Sequence, residues 1–169
     1  MGLRLLLPLL VAASLAACSG TRDVREPGEK LGTFIVNGKL VATTCGKADP
    51  TFRYEVRLSR EGDKLYWAQG STLVVGSIDG ASVRMEATTS TQVTPKDERS
   101  GFPGCTMVRR DTLAAELEGD PVQRLTGAIV YAFDVGQGDC AGELAAVGGD
   151  YATLPCTMTY EVDGAQRAR

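Results

Sequence analysis

Gly138-Asp139-Cys140-Ala141-Gly142 has the spacing of a nucleophile elbow, in which two glycines let a sharp turn lift a reactive side chain into a site. Such a nucleophile needs a base, and the chain contains no histidine. That omission removes Cys-His and Ser-His pairs and every histidine metal ligand. The stretch after the elbow, Glu143 to Gly149, is short and Gly-ended where the motif requires a helix, so the glycines fit a disulfide-stapled loop better. Carboxylates offer the next candidates: Asp97-Glu98, and Asp134 with Asp139, for acid/base work or for a cation. Calcium needs several oxygens converging at regular offsets, which neither pair supplies, and solvated loops account for them. Trp67 beside Tyr66 reads either as one ring on each face of a strand or as the wall of a ligand pocket. No Gly-rich phosphate cradle occurs. The expectation is a chain with no catalytic residues, no cofactor and no metal.

The elements that position these residues begin with the first seventeen. A basic start (Met1 to Arg4), an apolar core (Leu5 to Leu15) and a small pair form a secretory signal, too short to span a bilayer, which takes about 20 apolar residues. Leu15-Ala16-Ala17-Cys18 resembles the lipobox of bacterial lipoproteins. The resemblance implies cleavage after Ala17, a diacylglyceryl group on the Cys18 sulfur and acylation of the new amino terminus. Ser19 in place of Asp implies, by the same resemblance, delivery to the outer membrane, without fixing which side the domain faces. Residues 18–32 then read as a lipidated start and a flexible tether broken by Pro27 and Gly28. Losing Arg4 with the leader takes the 18 basic residues to 17 against 21 acidic, a formal net of −4. The one tight basic pair, Arg109-Arg110, is followed at once by Asp111, so nucleic acid is excluded as a partner.

With Cys18 assigned to lipid, Cys45, Cys105, Cys140 and Cys156 remain, an even number in an oxidising compartment, which implies two disulfides. A four-cysteine zinc site is disfavoured because no two of them lie two to four residues apart, and a redox-active C-x-x-C is missing.

From Thr33 the pattern has period two. Phe52, Tyr54, Val56 and Leu58 alternate with Arg53, Glu55, Arg57 and Ser59, a strand with one dry and one wet face. Phe34, Val36, Leu40 and Ala42 share a face in an earlier strand. Val83-Met85-Ala87, Leu125-Ile129-Tyr131-Phe133 and Met158-Tyr160-Val162 do the same, and Leu65 to Ala68 and Leu73 to Ile78 add two more. Asp111 to Glu118 fits either a short helix or a strand burying Leu113, Ala115 and Leu117; the regular turn signals favour strand. The count is about eight, and the prediction is an all-β domain over 33–163, an antiparallel up-and-down barrel or sandwich, with a tail at 164–169. In that order all four cysteines fall at one end with the two long loops. Closure of the barrel favours Cys45 with Cys156 and Cys105 with Cys140, while Cys45 with Cys105 and Cys140 with Cys156 stays open.

The sequence supports two functional readings. One is a membrane-anchored envelope module that binds a protein partner through its rim loops without catalysis. The other is a carrier of a small apolar ligand, for which the likeness to lipocalin and calycin barrels is topological only, since Val36-Asn37-Gly38-Lys39 stands where their Gly-x-Trp belongs. The bulk of the inward set (Phe34, Phe52, Tyr54, Met85, Tyr131, Phe133, Met158, Tyr160) favours a filled barrel and hence the first reading.

Overall fold

The computed structural model describes residues 26–141 and 153–168. The leader, Cys18 and most of the tether lie outside them, as does Gly142 with the stretch after it. Eight strands run in order: β1 (Glu29–Thr43), β2 (Thr51–Glu61), β3 (Lys64–Gln69), β4 (Thr72–Asp79), β5 (Ser82–Thr94), β6 (Cys105–Glu118), β7 (Arg124–Gly138) and β8 (Cys156–Gln166). Each pairs antiparallel with its sequence neighbours and β8 returns to β1, closing a barrel. The sandwich alternative is thereby removed.

Local chemistry explains the order. The β2–β3, β3–β4 and β4–β5 connections are two-residue hairpins whose first residues, Gly62, Gly70 and Gly80, have φ of 64°, 55° and 59°. Such left-handed starts match the right-handed twist of the flanking strands. Asp111 to Glu118 is strand: within β6, Leu113 faces Met85 of β5 and Ile129 of β7, so its backbone is paired on both sides. An eight-residue helix would have left most of its end groups without partners.

The barrel extends beyond 33–163. Glu29 and Lys30 already pair with Arg60 and Ser59, and β8 continues to Gln166, so strand pairing runs from residue 29 to 166. These ends are too polar to show alternation. Part of the expected tether is also fixed, since Glu26 meets Arg57 at 2.8 Å and Lys30 at 3.7 Å.

The two ends of the barrel differ. At the end of the barrel where β1 begins, Phe34, Leu58, Leu65, Val83 and Leu125, from β1, β2, β3, β5 and β7, are fully buried and close the base. The opposite rim carries bulges at Val41, Val93 and Gly136. A bulge inserts one residue and turns the faces over. Ala42 is therefore exposed rather than in phase with Phe34, Val36 and Leu40, and Val41 and Val93 turn outward at 49% and 39% exposure. The disulfides sit at this rim, Cys45 with Cys156 and Cys105 with Cys140. That is the pairing closure favoured, and it leaves no thiol of the four to hold zinc.

Strand length is uneven around the barrel. β3 and β4 have 6 and 8 residues, against 11 to 15 in the other six. β2 pairs with β3 only from Arg57 to Glu61, and β4 pairs with β5 only through Ser77–Arg84, Ile78–Val83 and Asp79–Ser82. The wall is consequently low on one side.

Candidate functional site

Above the closed base the barrel is not filled. A cavity of about 610 Å³ opens at the bulged rim and toward the short β3–β4 hairpin. The inward aromatic residues line it instead of plugging it, because the side of the barrel that should press back on them ends at Gln69 and Thr72. This corrects the filled interior expected from residue size; bulk alone does not show where a wall stops.

Period two carries the aromatic residues to one level of the cup. Phe52 and Tyr54 on β2 stack with centroids 4.9 Å apart and planes 7° from parallel. Phe52 also meets Tyr160 at 5.0 Å, Tyr160 meets Tyr131 edge-on at 5.8 Å, and Tyr54 meets Trp67 edge-on at 6.2 Å. Offset and edge contacts at these separations add about 0.5–1.5 kcal/mol each beyond burial. Gly38, opposite Phe52 on β1, makes the arrangement possible: a Cβ there would lie 2.3 Å from the Phe52 ring. Tyr160 is further held by donating its hydroxyl to the Asp49 carbonyl at 2.8 Å.

Two charged residues that the sequence presents as surface chemistry stand in this cup. Arg109 and Asp111 continue inward the phase of Leu113, Ala115 and Leu117 along β6. Arg109 Nη2 donates to Asp111 Oδ2 at 2.7 Å, and the guanidinium lies 5.4 Å from the centre of the Tyr131 ring. Counting toward the amino terminus by twos from Leu113 reaches both, so the signal is present in the sequence; the adjacent Arg110, which points outward to Glu86 at 3.3 Å, masks it. The cup is therefore mainly aromatic, with the Arg109–Asp111 couple inside it and Asp49 and Glu86 also on its lining.

Burial raises the Tyr54 phenol far above its ordinary range, helped by the neighbouring Tyr131 and Asp111. Tyr131 is raised by burial and by Asp111, against the opposing pull of Arg109. A phenol whose folded pKa exceeds its unfolded value contributes stability that is complete below about pH 10 and lost as pH rises above it. Urea midpoints are thus expected to hold steady up to about pH 9 and fall between about pH 10 and 12, by roughly 1.4 kcal/mol per pH unit for a fully shifted phenol. Tyr54→Phe should remove more of that slope than Tyr131→Phe; an unchanged slope in both would show that these phenols are not its source.

The other sequence candidates have local roles. Cys140 of the elbow is bonded to Cys105, and Asp139 Oδ1 accepts from the Ala141 amide at 3.0 Å. Asp97 accepts from the Arg99 amide at 2.9 Å and the Ser100 hydroxyl at 2.8 Å, bonds that hold its carboxyl below the usual range. Glu98 lies 3.8 Å from Lys96, and Asp134 accepts from the Val135 amide at 2.8 Å. Trp67 satisfies both the core and the pocket reading: it is buried in the core and forms part of the cup, while Tyr66 faces out, its hydroxyl 3.4 Å from Glu61. Among the described residues no three His, Cys, Asp or Glu side chains converge as a metal site.

Fold and site together define an eight-stranded antiparallel barrel with a closed base and a side-open aromatic cup. Compared with protein-family models, curated proteins and solved structures, the chain has no match.

Proposed function

We propose that this chain is an outer-membrane lipoprotein, anchored through Cys18, whose barrel is a non-catalytic binding module with the cup as its binding site. The observation that carries the reading is the aromatic cavity of about 610 Å³, inside the range of about 300–1,000 Å³ usual for small-ligand pockets. It moves the binding surface from the rim loops to the interior and gives weight to the second reading from sequence, a carrier of a small apolar or aromatic ligand. The absence of histidine and the engagement of the four cysteines in disulfides support binding without catalysis. β1 begins at the closed base, so a tether running from Cys18 would join the barrel at the end opposite the mouth, which favours a mouth directed away from the bilayer.

Trp67, the single tryptophan, is a built-in reporter in the cup. Titration with indole or 1-anilinonaphthalene-8-sulfonate should change its emission saturably. Ala87→Phe, which adds bulk at the cup wall on the low side, should weaken the response at least tenfold. A linear, non-saturating response, or one that Ala87→Phe leaves intact, would sink the cup as a binding site.

A further inference from the structure

The low wall leaves more than an opening. From Met85 to Thr94, β5 pairs with β6 and has no ladder to β4, and from Thr51 to Val56, β2 pairs with β1 and has none to β3. Among the described residues nothing else pairs with either edge. Above the Gly70–Ser71 turn two strands are missing from the wall, a gap of about 14 Å at ordinary strand spacing.

The two edges differ. β2 starts just after Pro50 and carries Arg53 and Glu55, both charged, and Glu55 is tied to Arg167 at 2.7 Å. Edge strands are usually blunted by lysine, proline, bulges or a covering segment. From Glu86 to Gln92 (Glu-Ala-Thr-Thr-Ser-Thr-Gln), β5 has no lysine, no proline and no bulge until Val93, and its single charge is held by Arg110. Its threonines favour extended backbone. Beside it, Leu73 and Val75 on β4 turn outward at 38% and 48% exposure.

Resting on the cup as the binding site, we infer that its ligand is an extended polypeptide segment that adds as a strand to the free edge of β5 and places an apolar or aromatic side chain in the cup. A row of unpaired N–H and C=O groups is complemented by another extended backbone, and main-chain bonds then supply affinity while pockets for alternate side chains supply selectivity. The alternation of a strand sends every second side chain inward, where Tyr54, Trp67 and Tyr131 receive it, and the others outward over Leu73 and Val75. Arg109 and Asp111 pair with each other in the cup, and Arg109 Nε and Asp111 Oδ1 are buried there without a hydrogen-bond partner among the described residues.

The test uses the lipidated full chain in detergent and a library of eight-residue peptides with phenylalanine or tryptophan fixed at one position. Selected peptides should slow hydrogen exchange at amides between Glu86 and Gln92, and their copies N-methylated at alternate residues, which keep the side chains but lose the donors, should bind at least tenfold more weakly. Binding that survives N-methylation, or protection limited to the cup, would overturn strand addition. So would a failure of all peptides while indole still reports saturably through Trp67, an outcome that leaves the cup reading standing. If neither peptide nor indole binds, the cup reading falls as well. Protection of these β5 amides in the protein alone would assign the edge to another occupant: to a second copy of the chain if it grows with concentration, or to the chain itself if it does not.

Discussion

Replacing Cys45 and Cys156 together with alanine is expected to lower the unfolding free energy by about 4–5 kcal/mol, the larger of the two disulfide effects. The two bridges span 111 and 35 residues in sequence. In the chain-entropy account the stabilisation grows with the logarithm of loop length, giving about 4.8 kcal/mol for the long loop and about 3.8 kcal/mol for the short one. Because the shorter loop lies inside the longer, the intact inner bridge trims the outer contribution by a few tenths. Packing lost on truncation is similar for both pairs, since all four cysteines are buried. The long bridge also fastens the seam where the chain's first and last strands meet, next to Thr44, whose amide donates to the Thr157 carbonyl at 2.9 Å. Urea unfolding of Cys45→Ala/Cys156→Ala against Cys105→Ala/Cys140→Ala reads the difference directly. A larger loss for the second pair would mean that unfolded-chain entropy does not govern this barrel.

Where period two is uninterrupted, the sequence carries the fold. Phe52 to Leu58 and Thr157 to Val162 can be assigned to faces because each inward residue is apolar and each outward one polar, and the two-residue Gly turns leave antiparallel pairing as the consistent arrangement. Ser59, which the alternation puts on the wet face, is instead fully buried, its hydroxyl without a hydrogen-bond partner among the described residues. Closure sets the cysteine pairing because it makes the first and eighth strands neighbours. Legibility fails where phase changes or chemistry runs against type. Alternation puts Ala42 on the wrong face because an inserted residue at Val41 has no compositional mark. Glu29 and Lys30 read as tether because a strand end paired at the surface looks like a polar linker. Arg109 and Asp111 read as surface charge because a buried couple is visible only when both members are placed in the phase of Leu113. The cup itself depends on an absence, two strands that stop short, and no residue in Gln69 to Thr72 announces how high the neighbouring strands will rise.

Cys18→Ser is expected to move the protein completely from the membrane to the soluble fraction while leaving the barrel intact. This prediction rests on the proposed anchor and on magnitudes. Each buried methylene contributes about 0.8 kcal/mol, one myristoyl-sized chain gives only reversible binding, and two or more chains hold without measurable release. On β2 the alternate side chains facing outward, Arg53, Glu55 and Arg57, are charged and offer lipid no apolar face. Carbonate-washed membranes should retain the unaltered chain and none of the variant, and the two should share one urea midpoint, because Glu26, the first described residue, is separated from position 18 by several residues of chain. The orientation can be read in the same preparation. On the proposed anchor, with the tether joining the barrel at the closed base, Asp97 and Arg99 in the rim loop are expected to stand farthest from the bilayer, so a protease cutting after Arg99 in reconstituted vesicles should reach that loop on outward-facing molecules as readily as in the Cys18→Ser protein. Retention of the variant on membranes would overturn the lipid anchor, and protection of the Arg99 loop by outward-facing vesicles would turn the mouth, and with it the free edge of β5, toward the lipid.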